Sequence, residues 1–139
     1  MYLLGVPLLM IPFAIYNIVA FLMPSVSWTA EIWHFRMLSG GEWGGTLGDV
    51  MIAGTVVILL IEMLKATRVS RRTIVDHVLS MVVFIGMLVE FLLVKQVASS
   101  TFFLLLVISF VDVTGGFAVS IRAAQREVSV SEVEHVHNG

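Results

Sequence analysis

Apolar residues run in four long stretches along the chain, at positions 2–23, 49–67, 74–96 and 101–122, parted by short polar clusters. Each stretch has about 19 to 23 residues, which at roughly 1.5 Å per residue matches a hydrocarbon core of roughly 30 Å. The pattern predicts an all-α membrane protein, a four-transmembrane-helix bundle. What remains is one connection at 24–48, two short turns and a tail at 123–139. The chain reads as a single integral membrane domain with no soluble module.

The first stretch has no Lys or Arg before its apolar run and no A-x-A-like site near its end, so it reads as a retained helix rather than a signal peptide. Pro24 ends it. Pro7 and Pro12 fall inside it, and a bend near Pro12 is expected, because neighbouring helices in lipid can satisfy the carbonyls that a proline frees. Thr46-Leu47-Gly48-Asp49, Ser70-Arg71-Arg72-Thr73 and Ser99-Ser100-Thr101 place short oxygen side chains where helices two, three and four begin and need partners for free N–H groups. The link from Lys95 to Ser100 is so short that spans three and four must form an antiparallel helical hairpin.

The 24–48 connection has a different period. Polar and apolar residues alternate from Ser25 to Ile32, and the alternation resumes one residue out of phase from Trp33 to Met37. Period two indicates extended strand, the slip between Ile32 and Trp33 suggests a bulge, and Ser39-Gly40-Gly41-Glu42 suits a turn back into Trp43. A small β-hairpin on the outer membrane surface is the preferred reading. The competing one is an interfacial amphipathic helix using Trp28, Ile32, Phe35 and Leu38. Trp28, Trp33 and Trp43 suit the headgroup region in either case, and the sharper reading has the segment capping a cavity or docking a partner.

Composition turns the helix pattern into a statement about solvent. Of the 139 residues 58% are hydrophobic and only 13% charged, with a mean hydropathy of +0.99, whereas soluble domains carry about 25% charged residues. Disorder is excluded by the apolar content, and nucleic acid as a partner by a net charge of -2. With no cysteine there is no disulfide framework and no thiolate site. Six of the eight basic residues, Lys65, Arg68, Arg71, Arg72, Arg122 and Arg126, fall at the same ends of the spans, against Arg36 and Lys95 at the other. The positive-inside rule then puts both termini in the cytoplasm and the 24–48 segment outside.

An ionisable group within a span needs a structural partner or a task. Glu62 lies about 20 Å from the outer end of span two and Asp112 about 18 Å along span four, at one depth past the midplane. Glu90 lies about 24 Å along span three, at the depth of Asn17 in span one. On the helical wheel Thr55 shares the face of Glu62, Gly116 follows Asp112 by one turn, and Asp76, Ser80, Met87 and Glu90 form one stripe. A functional reading takes Glu62, Asp112 and Asp76 or His77 as an inner proton or cation site, with Glu90 and Asn17 as its outer counterpart. A structural reading pairs Glu62 with Lys65 one turn on, and Asp112 with a hydroxyl or N–H of a neighbouring helix. His77, beside Arg71 and Arg72 at the start of span three, is read first as a residue of the headgroup interface.

No CxxC, HExxH, P-loop or catalytic triad pattern occurs, so no catalytic residue and no enzyme activity is expected. No cofactor is expected either, since haem needs pairs of axial ligands and only one histidine lies near a span. The His135-x-His137 end of the tail, with nearby Glu132 and Glu134, is a weak metal pattern in a solvated segment and no metal site is assigned. Taken together, Ser39-Gly40, Trp43, Gly48-Asp49, Glu62 with Lys65, Asp76-His77 with Leu79-Ser80, Glu90-Phe91, Thr101-Phe102-Phe103 and Asp112 with Gly116 resemble a group of small four-span bacterial inner-membrane proteins with no assigned activity. The resemblance implies a bacterial inner membrane and transfers no site residue. Two functions are carried forward: a non-enzymatic accessory, scaffold or assembly protein, and a small proton-coupled or cation transporter or channel acting as an oligomer. The expected partners are the lipid bilayer and a second membrane protein or further copies of the chain.

Overall fold

The computed structural model describes residues 7–66 and 71–139. Its elements in chain order are α1 (Met10–Leu22), β1 (Glu31–Arg36), β2 (Glu42–Thr46), α2 (Leu47–Ala66), α3 (Arg71–Leu93), a 3₁₀ turn (Lys95–Val97) and α4 (Ser100–Asn138). Among the described residues three helices, not four, hold a segment long and apolar enough to cross a membrane: Leu47–Leu64, Val75–Leu93 and Ser100–Ala118. The expected four-span bundle is thereby corrected. α1 has 13 residues and is about 20 Å long, well short of a bilayer core of roughly 30 Å.

Prolines set the length of α1. Pro7 precedes the helix in a turn, its carbonyl accepting the Met10 N–H at 3.1 Å. Pro12 falls in the first helical turn, where a missing N–H breaks no intrahelical bond, so the expected bend has no cause there. At the other end Pro24 disfavours helical geometry for Met23, which has φ -129° and ψ 63°.

α4 is the central element, packed against α2 on one side and α3 on the other. Of its apolar segment 44% is buried, against 17% for each of the other two. The core lies at the end of the bundle next to the 24–48 connection, termed the outer end after that connection, and is built on Tyr16, Met87, Val97, Phe102, Leu105 and Leu106. Tyr16 stacks on Trp28 (ring centroids 4.6 Å apart, planes at 5°) and meets the edge of Phe102 at 5.0 Å, while Phe91 stacks on Phe102 at 6.0 Å. Lateral faces are the reverse of a soluble protein's. Val57, Leu60, Leu64, Val82, Leu92 and Phe110 are exposed, whereas Thr55, Glu62, Asp76, His77, Ser80, Ser109 and Asp112 are buried. Polar-in, apolar-out is the arrangement that hydrocarbon as solvent demands.

The 24–48 connection is a β-hairpin, and the amphipathic-helix alternative falls away. β1 and β2 pair antiparallel with Trp33 opposite Gly45 and Phe35 opposite Trp43, and the register shifts between Glu31 and Trp33, where the alternation slips. The turn closes through Met37 N–H to the Gly41 carbonyl at 2.7 Å, with Gly40 at φ 88°, a conformation that glycine adopts without a Cβ penalty. One face carries the ring contacts of Trp33, Trp43 and Phe35. The other joins His34 Nδ1 to Glu31 at 2.9 Å and His34 Nε2 to Glu42 at 3.5 Å.

Helix starts follow the sequence signals where they are described. Thr46 N–H donates to Asp49 Oδ2 at 2.9 Å and Asp49 N–H to Thr46 Oγ1 at 3.2 Å, a reciprocal cap. Ser99 Oγ accepts the Phe102 N–H at 3.1 Å. Ser70 lies outside the described residues, and the side chains of Arg71, Arg72 and Thr73 are not described. α4 corrects one further expectation: instead of ending at 122 it continues to Asn138. The Val, Ser, Glu and His alternation beyond 127 has no strand to pair with, and each residue added to an existing helix gains a backbone bond. On that helix His135 and His137 point about 200° apart, so the two rings face away from any common ion.

Candidate functional site

The polar residues inside the apolar helices form two groups, one at each end of the bundle. At the outer end the Asn17 side chain is hydrogen-bonded to the Glu90 carboxyl, and its Nδ2 also donates to the Phe13 carbonyl at 2.9 Å. The equal depths that the rise per residue assigns to Asn17 and Glu90 therefore correspond to contact. One residue earlier on α1 the Tyr16 hydroxyl is hydrogen-bonded to Ser99 Oγ, the same oxygen that caps α4. This Tyr16, Ser99 and Phe102 chain ties α1 to the start of the central helix, and the sequence reading missed it. Its one signal was the capping serine, which carries no mark of a partner 83 residues away.

At the inner end, three helices converge on Gly115 and Gly116 of α4. A Cβ on Gly115 would lie 2.5 Å from Met63 Cε of α2, and one on Gly116 would lie 2.9 Å from His77 Cε1 of α3. The two glycines thus give room to a side chain from each neighbour. Glu62 is next in sequence to Met63, and Asp112 stands one turn before Gly116. The His77 ring also lies on Phe117, with centroids 4.9 Å apart. His77 is buried in the bundle. Glu62 and Asp112 are 7% and 4% exposed, and Glu62, Asp76, His77 and Asp112 all have partners.

One of those partners is backbone. The Leu8 N–H donates to Glu62 Oε1 at 2.5 Å, from the turn that leads into α1 between fully buried Pro7 and buried Leu9. The Leu8 amide precedes α1, whose own first amides, those of Met10 and Ile11, donate to the Pro7 and Leu8 carbonyls. No side chain of its own caps the helix. Glu62 of α2 supplies the acceptor for the Leu8 amide. The expected Glu62 and Lys65 pair lies outside the residues whose side chains are described.

Between the two polar groups the packing is mostly apolar, with Thr55 and Ser109 buried in it. Thr55 and Ser109 border a void of about 10 Å³ together with Leu9, Pro12, Phe13, Met87 and Leu105, and Thr55 Oγ1 donates to the Met51 carbonyl at 2.6 Å. Tyr16, Met87, Phe102 and Leu105 fill the section above it. Among the described residues no group of three or more His, Asp or Glu side chains is placed to hold a metal ion. The arrangement can exchange a proton at the inner carboxylates or lock helices in register. No family model, curated protein or solved structure matches the chain. Three helices of spanning length with inward polar faces give it the architecture of a helical membrane protein.

Proposed function

We propose that the chain is a non-enzymatic accessory or scaffold protein of the bacterial inner membrane, with the hairpin outside and the C-terminal end of α4 cytoplasmic. The observation that carries this reading is the engagement of its intramembrane polar groups within the fold. Glu62 accepts the Leu8 amide, Glu90 is held by Asn17, Tyr16 by Ser99, and the glycine pair of α4 is packed by Met63 and His77. Such groups fix helix register, and the apolar outer faces of α2 and α3 are left for lipid or for another membrane protein. The charge asymmetry of the sequence supports the orientation. The chain extracted from its native membrane in mild detergent should sediment as part of a larger assembly that Asp112→Asn weakens. A monomer without partner, indifferent to that substitution, would count decisively against it.

A second reading, a small proton-coupled or cation transporter working as an oligomer, is favoured by one observation. Glu62, His77 and Asp112 are buried at one level on three different helices. In reconstituted vesicles this reading expects proton or cation flux that a Glu62→Gln, Asp112→Asn double variant abolishes. Equal flux from both proteins would remove it.

A further inference from the structure

Thr55 of α2 and Ser109 of α4 carry hydroxyls deep in the bundle, 2% and 3% exposed, while Val57, Leu60 and Phe110 on the exposed faces of the same two helices are apolar. A hydroxyl at that depth needs a hydrogen-bond partner from within the bundle, because hydrocarbon offers none. Thr55 Oγ1 donates to the Met51 carbonyl at 2.6 Å. That bond uses its only hydroxyl proton, so the Thr55 oxygen has the capacity to accept and no longer to donate. The Ser109 hydroxyl is of the type that can do both.

The two side chains border one void, of about 10 Å³. Phe13 of α1 and Met87 of α3, with Leu9 and Leu105, supply apolar wall around it. All four helices therefore contribute to its lining, and the two oxygens reach it from α2 and α4, which are packed against each other.

Size and chemistry together name the occupant. A void of about 10 Å³ is close to the volume of a single water-sized sphere, and it is far too small for an acyl chain, an aromatic ring or a hydrated ion. A cavity lined by hydrocarbon alone stays dry, whereas water enters where it finds about two to four polar partners. Here an acceptor and a hydroxyl able to donate or accept border the same small space. A water donates one hydrogen to Thr55 Oγ1, and either donates its other hydrogen to Ser109 Oγ or accepts the hydrogen of Ser109.

We infer that this void is a binding site for one water molecule, which bridges Thr55 of α2 to Ser109 of α4. The bridge joins the two helices between the outer and the inner polar groups, at a level where the remaining contacts are apolar. It accounts for a threonine and a serine at positions that valine and alanine would fill in a dry core. The inference goes beyond the accessory and transport readings and stands with either of them.

The test uses the whole chain in detergent micelles. Oxygen-17 relaxation dispersion detects water oxygens alone and counts those held long enough to tumble with the protein. Ser109→Val removes the hydroxyl and puts a methyl into the void, and should lower that count by one. Ser109→Ala removes the hydroxyl alone, should also lower the count, and serves where the valine variant fails to fold. Cross-relaxation between water and methyl groups gives the place. The methyl of Met87, 2% exposed at the void, should show a water cross-peak that falls at least twofold in both variants, whereas the methyl of Met81, 42% exposed on α3, should show none. An unchanged count of long-lived water in both variants overturns the site. A Met87 methyl without a water cross-peak in the unaltered chain, or equal peaks from Met87 and Met81, overturns it as well.

Discussion

Glu62 accepts a backbone amide from the turn that leads into α1. Removing the acceptor leaves the Leu8 N–H buried without one, and an unsatisfied buried donor costs about 1–3 kcal/mol. Glu62→Ala should therefore lower the unfolding free energy by about that amount, measured by denaturant titration in mild detergent. Glu62→Gln keeps an oxygen in place and should lose much less. Equal losses from both would mean that the charge, and not the hydrogen bond, is what the bundle needs at this position. Tyr16 makes the parallel case at the outer end. Tyr16→Phe removes one hydroxyl from a fully buried ring and should cost about 0.5–1.5 kcal/mol. Because Ser99 serves both Tyr16 and the α4 cap, Ser99→Ala should cost more than Tyr16→Phe, and a double-variant cycle should show coupling. Additive losses would mean that the two side chains act independently.

Helices meet here where side chains are absent, and the two glycines at the outer half of α2 have opposite roles. A Cβ on Gly48 would lie 2.6 Å from Thr101 Oγ1 and 3.0 Å from the Trp28 carbonyl, while Gly54 faces open space. Gly48→Ala must push α2 away from α4 and should destabilise by about 1–3 kcal/mol. Gly54→Ala should be neutral or stabilising by up to about 1 kcal/mol, the helix propensity that glycine forgoes. Midpoints of thermal unfolding in detergent give the comparison, and the reverse order would contradict the packing. The same elements show what could be read before the fold was known. The hairpin, its bulge, the Thr46 and Asp49 cap and the Asn17 and Glu90 contact were all legible, because period, phase slip and rise per residue are geometric properties of the chain. The length of α1 was not. Counting apolar residues from Tyr2 to Met23 says nothing of where Pro7 lets a helix begin, and the amide that meets Glu62 has no side-chain identity to read. The extension of α4 was hidden for another reason: alternating Val, Ser and Glu signals a strand only when a second strand is there to complete the ladder.

As a whole the molecule is turned inside out relative to a soluble domain, and it is also asymmetric along its axis. The outer end has the hairpin, the aromatic cluster and the 3₁₀ turn. At the other end α4 continues well past its apolar segment: at 39 residues it is about 58 Å long, so nearly half extends beyond a core of roughly 30 Å. Arg122 and Arg126 occupy the first turns beyond the apolar segment and Glu132 and Glu134 lie further along, so the basic turns are the ones nearest the apolar segment. Such a stem has the positive-inside signature, and the complete lack of cysteine makes its orientation directly measurable. Ser39 at the hairpin turn and Ser129 on the stem are both exposed, so a cysteine at either reports the side it occupies without competition from native thiols. In intact cells with a permeable outer envelope, a membrane-impermeant maleimide should label Ser39→Cys at once and Ser129→Cys only after the inner membrane is opened. Labelling of Ser129→Cys in sealed cells would invert the topology, placing the six clustered basic residues outside and the tryptophan-rich hairpin in the cytoplasm. Labelling of both in sealed cells would mean that α4 does not cross at all.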